Sequence, residues 1–278
     1  MQRIDTHQHC WQFDPVRDSW ITENEMSAIR RDFMPGDLKP ILDRNGLDGT
    51  ILVQTCQDES DNAFMLKLAE ENSFIKGVVG WVDLRADDIE ERLKYYRDNF
   101  PKLKGFRHVL QGEPDEQYML RDDFRRGISL LNRYGFTYDI LIYPIHVKYA
   151  SQLVAEFPDQ KFVVDHLAKP YIKRGEIEPW KNDMEELAQY QNVCCKVSGF
   201  LTEADWYNWR TDDFTPYLDL VFNAFGTNRV MYGSDWPVCV LAGGYNRAIE
   251  VLQLYLSKFR PEEQELFFGG NAEKFYNL

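Results

Sequence analysis

Eight short apolar segments recur along the chain, and segments with helical spacing of apolar residues separate them. The apolar segments are rich in Val, Ile, Leu and aromatic residues and alternate little with polar ones, which is typical of parallel strands covered by helices. Their starts lie 24 to 46 residues apart, near the roughly 30 residues of one strand-helix unit. The predicted strands are Arg3–His9, Gly49–Thr55, Ile75–Asp83, Leu103–Val109, Thr137–Tyr143, Lys161–Leu167, Val193–Ser198 and Arg229–Gly233.

The segments between these strands carry helix signals. The predicted helices are Asp61–Asn72, Ile89–Phe100, Phe124–Tyr134 and Tyr217–Phe225, with two terminal helices that open at Arg260-Pro261 and Gly270-Asn271. Eight strand-helix units favour a single-domain (β/α)8 barrel over residues 1–278, since no linker or composition break divides the chain. A doubly wound open sheet is the alternative. In a barrel, functional side chains gather at the carboxyl ends of the strands.

Composition narrows the classes of partner. The chain has 278 residues, of which 44% are hydrophobic, and its net charge of −13 argues against nucleic acid or an anionic membrane surface. No apolar signal core follows the first residues, and no run of about 18 apolar residues appears anywhere. The five cysteines show no disulfide framework, so we expect buried thiols and a cytoplasmic protein.

The first predicted strand ends in two histidines. His7 and His9 stand two residues apart, so their side chains emerge on the same face of the strand, and we expect Asp5 on that face as well. Two inward imidazoles at a strand end form half of a metal site or a pair of hydrogen-bond donors. The alternative is a polar pair on the surface.

The last predicted strand ends in Gly-Ser-Asp-Trp-Pro, which places Asp235 at its carboxyl end. We interpret Asp235 as the general base of a hydrolase. His166 ends the sixth strand in the same way and is a candidate metal or substrate ligand. Lys169 follows in the same loop as a candidate substrate contact, with surface charge as the equal alternative.

Two further strands carry cations. Arg107 and His108 end the fourth strand, where a guanidinium can hold a carboxylate or carbonyl oxygen, unless it pairs with one of the many acids. We favour Arg107 as the inward side chain, while His108 can reach the site from the loop. Lys196 lies inside the seventh strand and needs a buried carboxylate partner, either as a core ion pair or as part of the site.

Several sequence motifs together resemble the amidohydrolase superfamily. They are Asp-Thr-His-Gln-His at residues 5–9, Asp-His-Leu-Ala-Lys-Pro at 165–170 and Gly-Ser-Asp-Trp-Pro at 233–237. Within that superfamily, KGFRHVLQGEP, CCKVSGFLTEADW and MYGSDWPVC are similar to the group that hydrolyses L-fucono- and L-rhamnono-lactones. The resemblance implies a (β/α)8 barrel and hydrolysis of an aldonolactone in sugar catabolism.

The resemblance also implies a ligand set. His7 and His9 match the first-strand pair, His166 the sixth-strand histidine and Asp235 the eighth-strand aspartate. The fifth strand, TYDILIYP, lacks the histidine of members with two metals, so we expect one divalent ion or none. Zinc held by these four residues suits nitrogen and oxygen ligands, and the need for a metal stays open.

The resulting hypothesis is a lactonase. Asp235 activates water and later protonates the ring oxygen, while Arg107 or His108, with His166, polarises the carbonyl. Trp11, Trp81 and Trp236 are candidate walls for the sugar, although we expect at least one of them to be a packing residue. The segment from Trp11 to Pro35 is a candidate lid. The alternatives are a metal-dependent decarboxylase and a sugar-acid binding barrel without catalysis.

Overall fold

The computed structural model describes residues 1–278, and its eight strands form one parallel sheet in chain order. The strands are β1 (Ile4–Gln8), β2 (Gly49–Val53), β3 (Ile75–Gly80), β4 (Leu103–His108), β5 (Thr137–Ile140), β6 (Phe162–Val164), β7 (Val193–Val197) and β8 (Val230–Tyr232). The two edges meet just beyond β8, where the amide of Asp235 donates to the carbonyl of His7 at 2.8 Å and His9 donates to the carbonyl of Trp236 at 2.7 Å. The predicted (β/α)8 barrel is confirmed.

Helices lie between successive strands and after β8. They are α1 (Pro35–Arg44), α2 (Glu59–Glu71), α3 (Ile89–Asn99), α4 (Asp122–Leu131), α5 (Val147–Glu156), α6 (Trp180–Leu187), α7 (Thr215–Phe225), α8 (Gly244–Leu256), α9 (Pro261–Glu265) and α10 (Asn271–Tyr276). Helix α4 shows why they pack: Phe124, Ile128 and Leu131 repeat at helical spacing and are all buried. None of the helices is long and apolar enough to cross a lipid bilayer.

The barrel interior is apolar at the end where the strands begin. Apolar residues from β1, β2, β3, β6 and β8 form a buried cluster with the last helix. Helix α10 covers this end, because Phe275 and Tyr276 pack into the cluster and Lys161, just before β6, donates to the carbonyl of Lys274 at 3.1 Å. The open end of the barrel is therefore the carboxyl end of the strands, where the polar residues lie. The cluster comprises Ile4, Ile51, Val53, Val79, Val163, Met231, Ala272, Phe275 and Tyr276.

The prediction that Asp5 shares the face of His7 is wrong. The pairing of β1 with β2 shifts register between Asp5 and Gln8, and such an irregularity changes which face a side chain takes. Asp5 points to the helical layer, where Tyr245 of α8 donates to its Oδ2 at 3.0 Å. Its Oδ1 accepts from the amides of Ser234 at 2.9 Å and His7 at 3.1 Å. Burial raises the pKa of Asp5 to about 6, and its contacts join the two ends of the chain beneath the site.

Candidate active site

Four of the predicted residues meet at the carboxyl end of the barrel. The Oδ1 atom of Asp235 lies 3.3 Å from Nε2 of His9, 3.9 Å from Nε2 of His7 and 4.0 Å from Nε2 of His166. The side chain of Asp235 is only 7% exposed. One carboxylate and three imidazoles are therefore buried close together at the carboxyl ends of β1, β6 and β8.

Unusual backbone conformations deliver two of these groups. Asp235 has φ of +57°, and the four residues His166 to Lys169 have φ between +51° and +57°, in the left-handed region that non-glycine residues rarely occupy. Such conformations are costly and persist where the surrounding structure imposes them, often at functional sites. The left-handed turn starts directly after Asp165 and directs His166 towards Asp235.

Gly199, immediately after Ser198 beyond β7, makes room for this arrangement. Its φ is +61°, and an added Cβ would lie 2.6 Å from Nδ1 of His166 and 3.2 Å from Oδ2 of Asp235. Any side chain at position 199 would displace the histidine or the carboxylate. The glycine is therefore part of the site, although it carries no functional group.

Each histidine is oriented through its other ring nitrogen. Nδ1 of His9 lies 2.8 Å from the carbonyl oxygen of Val53, and Nδ1 of His166 lies 2.9 Å from Oγ of Ser198. Nδ1 of His7 lies 3.3 Å from Oδ1 of Asp165. These contacts fix the ring orientations so that the Nε2 atoms point at Asp235. Burial lowers the pKa values of His7 and His166 well below the usual range, so both rings are neutral near pH 7.

Asp235 itself is ionised. Burial alone would raise its pKa, but His166, His9 and Lys169 outweigh that effect and lower the pKa below the usual value of 3.8. The carboxylate is thus in the form that accepts a proton.

A charged layer lies directly beneath the histidines. Nζ of Lys196 contacts the carboxylate of Asp139 and lies 3.0 Å from Oδ1 of Asp165, and both Lys196 and Asp165 are fully buried. Nη1 of Arg107 lies 3.1 Å from Oδ2 of Asp165. Burial opposes ionisation of Asp165, yet Lys196, His7 and Arg107 hold its pKa well below the usual range. Arg107 and Lys196 therefore both form buried ion pairs, which is one of the two alternatives that the sequence left open for each of them.

His108 points away from the three histidines. Its Nε2 lies 2.7 Å from Oε1 of Glu113, its Nδ1 accepts from Nε1 of Trp81 at 3.2 Å, and its ring stacks on Tyr118. Of the two residues that end β4, only Arg107 reaches the barrel interior. A substrate contact by His108 stays a prediction, and it requires the substrate to extend to Trp81.

Two of the three predicted tryptophan walls are packing residues. Trp11 and Trp236 are each 2% exposed and pack edge-on against Phe33, and Nε1 of Trp11 donates to the carbonyl of Arg31 at 2.8 Å. Trp81 is only partly buried and is the remaining candidate wall. The backbone of Trp11 pairs with that of Phe33, which joins the two ends of the predicted lid. The segment is therefore a loop that leaves the barrel and returns to it at the same place.

Lys169 has an acidic neighbour that the sequence did not single out. Its Nζ lies 3.9 Å from Oε1 of Glu203, which follows β7 in the next loop. Burial raises the pKa of Glu203 more than Lys169 lowers it. Glu203 and the central Asp165 both lie inside motifs that carry the resemblance, but the sequence predicted no role for either.

The donor set at Asp235 fits a divalent metal. His7, His9 and Asp235 form one group whose ligand atoms lie within 4.8 Å of one another, and His7, Asp165 and His166 form another. Imidazole nitrogens with a carboxylate oxygen suit zinc, and each imidazole has the second partner that metal-binding histidines require. One contact opposes this assignment: Nη1 of Arg107 lies 3.2 Å from Nε2 of His7.

Sequence comparison finds similar proteins that match nearly the whole of this chain. The chain is 35% identical over 287 residues to an L-fucono-1,5-lactonase from Burkholderia multivorans, covering 99% of this chain and 96% of the relative. It is 36% identical over 283 residues to an L-fucono-1,5-lactonase from Burkholderia ambifaria, with the same coverage.

Solved structures show the same fold. A crystal structure of an amidohydrolase from Burkholderia multivorans with bound HEPES matches with a TM-score of 0.95 at 35% identity over the whole of both chains. A second crystal form of an amidohydrolase from that organism, with bound zinc, gives a TM-score of 0.94. The Amidohydrolase family matches residues 4–278. The chain therefore belongs to the amidohydrolase family.

Proposed function

We propose that this protein is a lactonase that opens an aldonolactone of the L-fucono or L-rhamnono type to the sugar acid. The observation that carries the proposal is the buried, ionised Asp235 whose Oδ1 lies within 4.0 Å of the Nε2 atoms of three histidines. Full-length relatives named L-fucono-1,5-lactonase support the substrate class.

In the proposed reaction, Asp235 accepts a proton from water as the water oxygen attacks the lactone carbonyl carbon. The carbonyl electron pair moves to oxygen and forms a tetrahedral oxyanion. When the intermediate collapses, the bond to the ring oxygen breaks and Asp235 returns the proton to that oxygen, giving a hydroxyl and a carboxylic acid. A positioned acid or base of this kind contributes roughly 100- to 10,000-fold to the rate.

The oxyanion needs donors or positive charge close by. When the Ser198 hydroxyl donates to Nδ1 of His166, Nε2 of His166 carries the hydrogen and can donate to the oxyanion. Arg107 lies one layer lower and adds positive charge through its contact with His7. One such donor typically contributes about 100- to 1,000-fold.

Sugar hydroxyls require donors and acceptors at the pocket mouth. We assign this role to Lys169 and Glu203, which lie beside Asp235 and are only about one-fifth exposed. Trp81 supplies an apolar face next to His108. An aromatic acid would need additional free cations here, which is why a decarboxylase is the weaker alternative.

A divalent ion, with zinc the best match to the donors, would be held by residues among His7, His9, His166 and Asp235. When bound, it would polarise the carbonyl as a Lewis acid. The proton transfers assigned to Asp235 are the same with or without it.

The test is acid release, followed with a pH indicator, on a panel of five- and six-membered aldonolactones. A lactonase acidifies the solution as the carboxylic acid product ionises, whereas a decarboxylase leaves every lactone intact and releases CO2 only in a parallel assay on an aromatic acid. Binding of aldonates without any turnover would instead identify a sugar-acid binder. Acidification on at least one aldonolactone, well above the spontaneous rate, is the expected result.

A further inference from the structure

Tyr276 carries a hydroxyl into the barrel from the amino end of the strands. It belongs to helix α10, is 2% exposed, and packs with Phe275 into the buried cluster there. Its Oη lies 3.1 Å from Oδ2 and 3.3 Å from Oδ1 of Asp139 in β5. Burial raises the pKa of Tyr276 well above its usual value, so the hydroxyl keeps its hydrogen and donates it to the carboxylate.

Packing alone does not explain this hydroxyl. A phenylalanine would fill the same space, as Phe275 does beside it. Burying a hydroxyl among apolar side chains is costly unless the hydroxyl forms a hydrogen bond. Asp139 is the only side chain to which Tyr276 is hydrogen-bonded. The hydroxyl therefore serves Asp139 and not the packing of α10.

Asp139 depends on this donor. It is fully buried, and its carboxylate has two hydrogen-bond partners, the ammonium group of Lys196 and the hydroxyl of Tyr276. Burial raises the pKa of Asp139 to about 6, so the carboxylate is ionised near pH 7. Without the hydroxyl, Lys196 would be its only donor, and a buried charged acceptor that lacks a partner is costly. The carboxylate and the ammonium group would then change their positions.

Lys196 connects Asp139 to the histidines. Its Nζ contacts the carboxylate of Asp139 and lies 3.3 Å from Nδ1 of His7. The same Nζ lies 5.6 Å from the ring centroid of Tyr276. Nε2 of His7 lies 3.9 Å from Oδ1 of Asp235. A series of buried contacts therefore runs from the hydroxyl of Tyr276 to the proposed base.

We propose that Tyr276 is a positioning residue of the active site, which holds Asp139 and thereby fixes the ammonium group of Lys196 against His7. The helix that covers the amino end of the barrel thus helps to set the geometry of a site at the carboxyl end. The hydroxyl acts from beneath the charged layer and does not touch substrate. Its expected effect on turnover rests on the proposed function, whereas its expected effect on His7 does not.

The first test compares lactone turnover by wild type, Tyr276→Phe and Tyr255→Phe. Tyr276→Phe removes only the hydroxyl and keeps the ring that fills the cluster. Tyr255→Phe is the matched control in the helical layer. The Tyr255 hydroxyl donates to Oδ1 of Asp219 at 2.8 Å, and this carboxylate also accepts from a lysine, Lys258.

Tyr276→Phe should lower kcat at least about fivefold and keep KM within about twofold of wild type, since it disturbs the geometry of the site and not the contacts to substrate. Tyr255→Phe should leave both constants unchanged. A kcat of Tyr276→Phe equal to that of Tyr255→Phe, or a change in KM alone, would overturn the proposal.

The second test needs no substrate and follows the imidazole nitrogen resonances of the five histidines. Those of His7 should shift in Tyr276→Phe and stay in place in Tyr255→Phe. Those of His146, between β5 and α5, should stay in place in both variants. Unmoved His7 resonances in Tyr276→Phe would overturn the proposal whatever the turnover shows. If wild type opens no lactone, the proposed function fails, and this second test alone decides the role of Tyr276.

Discussion

The backbone amide of Asp235 donates a 2.8 Å hydrogen bond to the carbonyl oxygen of His7, and this contact both closes the barrel and assembles the site. The two residues come from opposite ends of the chain. Closure of the sheet brings Oδ1 of Asp235 within 3.9 Å of Nε2 of His7. The catalytic geometry is therefore a consequence of barrel closure, and the site is expected to be lost when the terminal strands separate.

Gly199 gives a prediction about close packing at the site. Gly199→Ala should lower lactone turnover at least about tenfold, because the new methyl group would press on His166 and Asp235. The matched control is Gly46→Ala: Gly46 has φ of +65° and open space around its Cβ position. Both variants should lose about 1–2 kcal/mol of stability, but only the first should lose activity. Equal turnover in the two variants would contradict the role of Gly199.

The charged layer predicts a large stability effect at Lys196. Lys196→Met leaves the buried carboxylates of Asp139 and Asp165 without their shared cation. Breaking a buried ion pair in this way should lower the free energy of unfolding by about 3–5 kcal/mol. Lys39→Met, which removes an exposed pair with Asp43, should cost less than about 1 kcal/mol. Denaturant unfolding measures both, and similar losses would show that the buried layer is not stabilising.

His108 predicts a pH effect on stability. Burial lowers its pKa below the usual 6.5, despite the nearby Glu113. The unfolded chain therefore binds the proton more readily than the folded one, and the stability contributed by neutral His108 is present above pH 6.5 and is lost as the pH falls below it. Between about pH 7.5 and about pH 5.5, wild type should lose more stability than His108→Gln. The measurement is the melting temperature of each protein at both pH values. An equal fall in melting temperature for the two proteins would refute this expectation.

Lys169 and Glu203 predict an effect on substrate binding. Lys169→Gln and Glu203→Gln should each lower kcat/KM for an aldonolactone by roughly 10- to 100-fold, the usual worth of a hydrogen bond to a charged group. Most of the effect should be a higher KM. The control Lys173→Gln alters an exposed lysine of the same loop and should be neutral. A fall in kcat with unchanged KM would instead place the pair in the chemical step.

The sequence predicted all eight strands but not where they end. Predicted strand six continues to Leu167, whereas β6 stops at Val164 because the residues from His166 adopt a left-handed turn. Nothing in His-Leu-Ala-Lys signals such a turn, since none of these residues is glycine. The same holds for Asp235, so the strained positions that carry the site are those that local pattern misses.

Side-chain partners were harder to predict than the fold. Alternation placed Asp5 beside His7, but a register shift that depends on pairing with β2 turned it outwards. Asp165 was visible as the neighbour of His166, yet its role depends on Arg107 and Lys196 from two other strands. Contacts of that kind follow from the closed barrel and are not encoded within any one segment.

Asp235 moves the proton in the proposed reaction, and the variant Asp235→Asn tests this role. The amide keeps the size of the side chain and one acceptor oxygen, but it is neutral and cannot accept the proton of water. With a melting temperature near that of wild type as the check on folding, lactone turnover should fall at least about 100-fold. Near-normal turnover in a folded Asp235→Asn protein would contradict the role of Asp235 as the base.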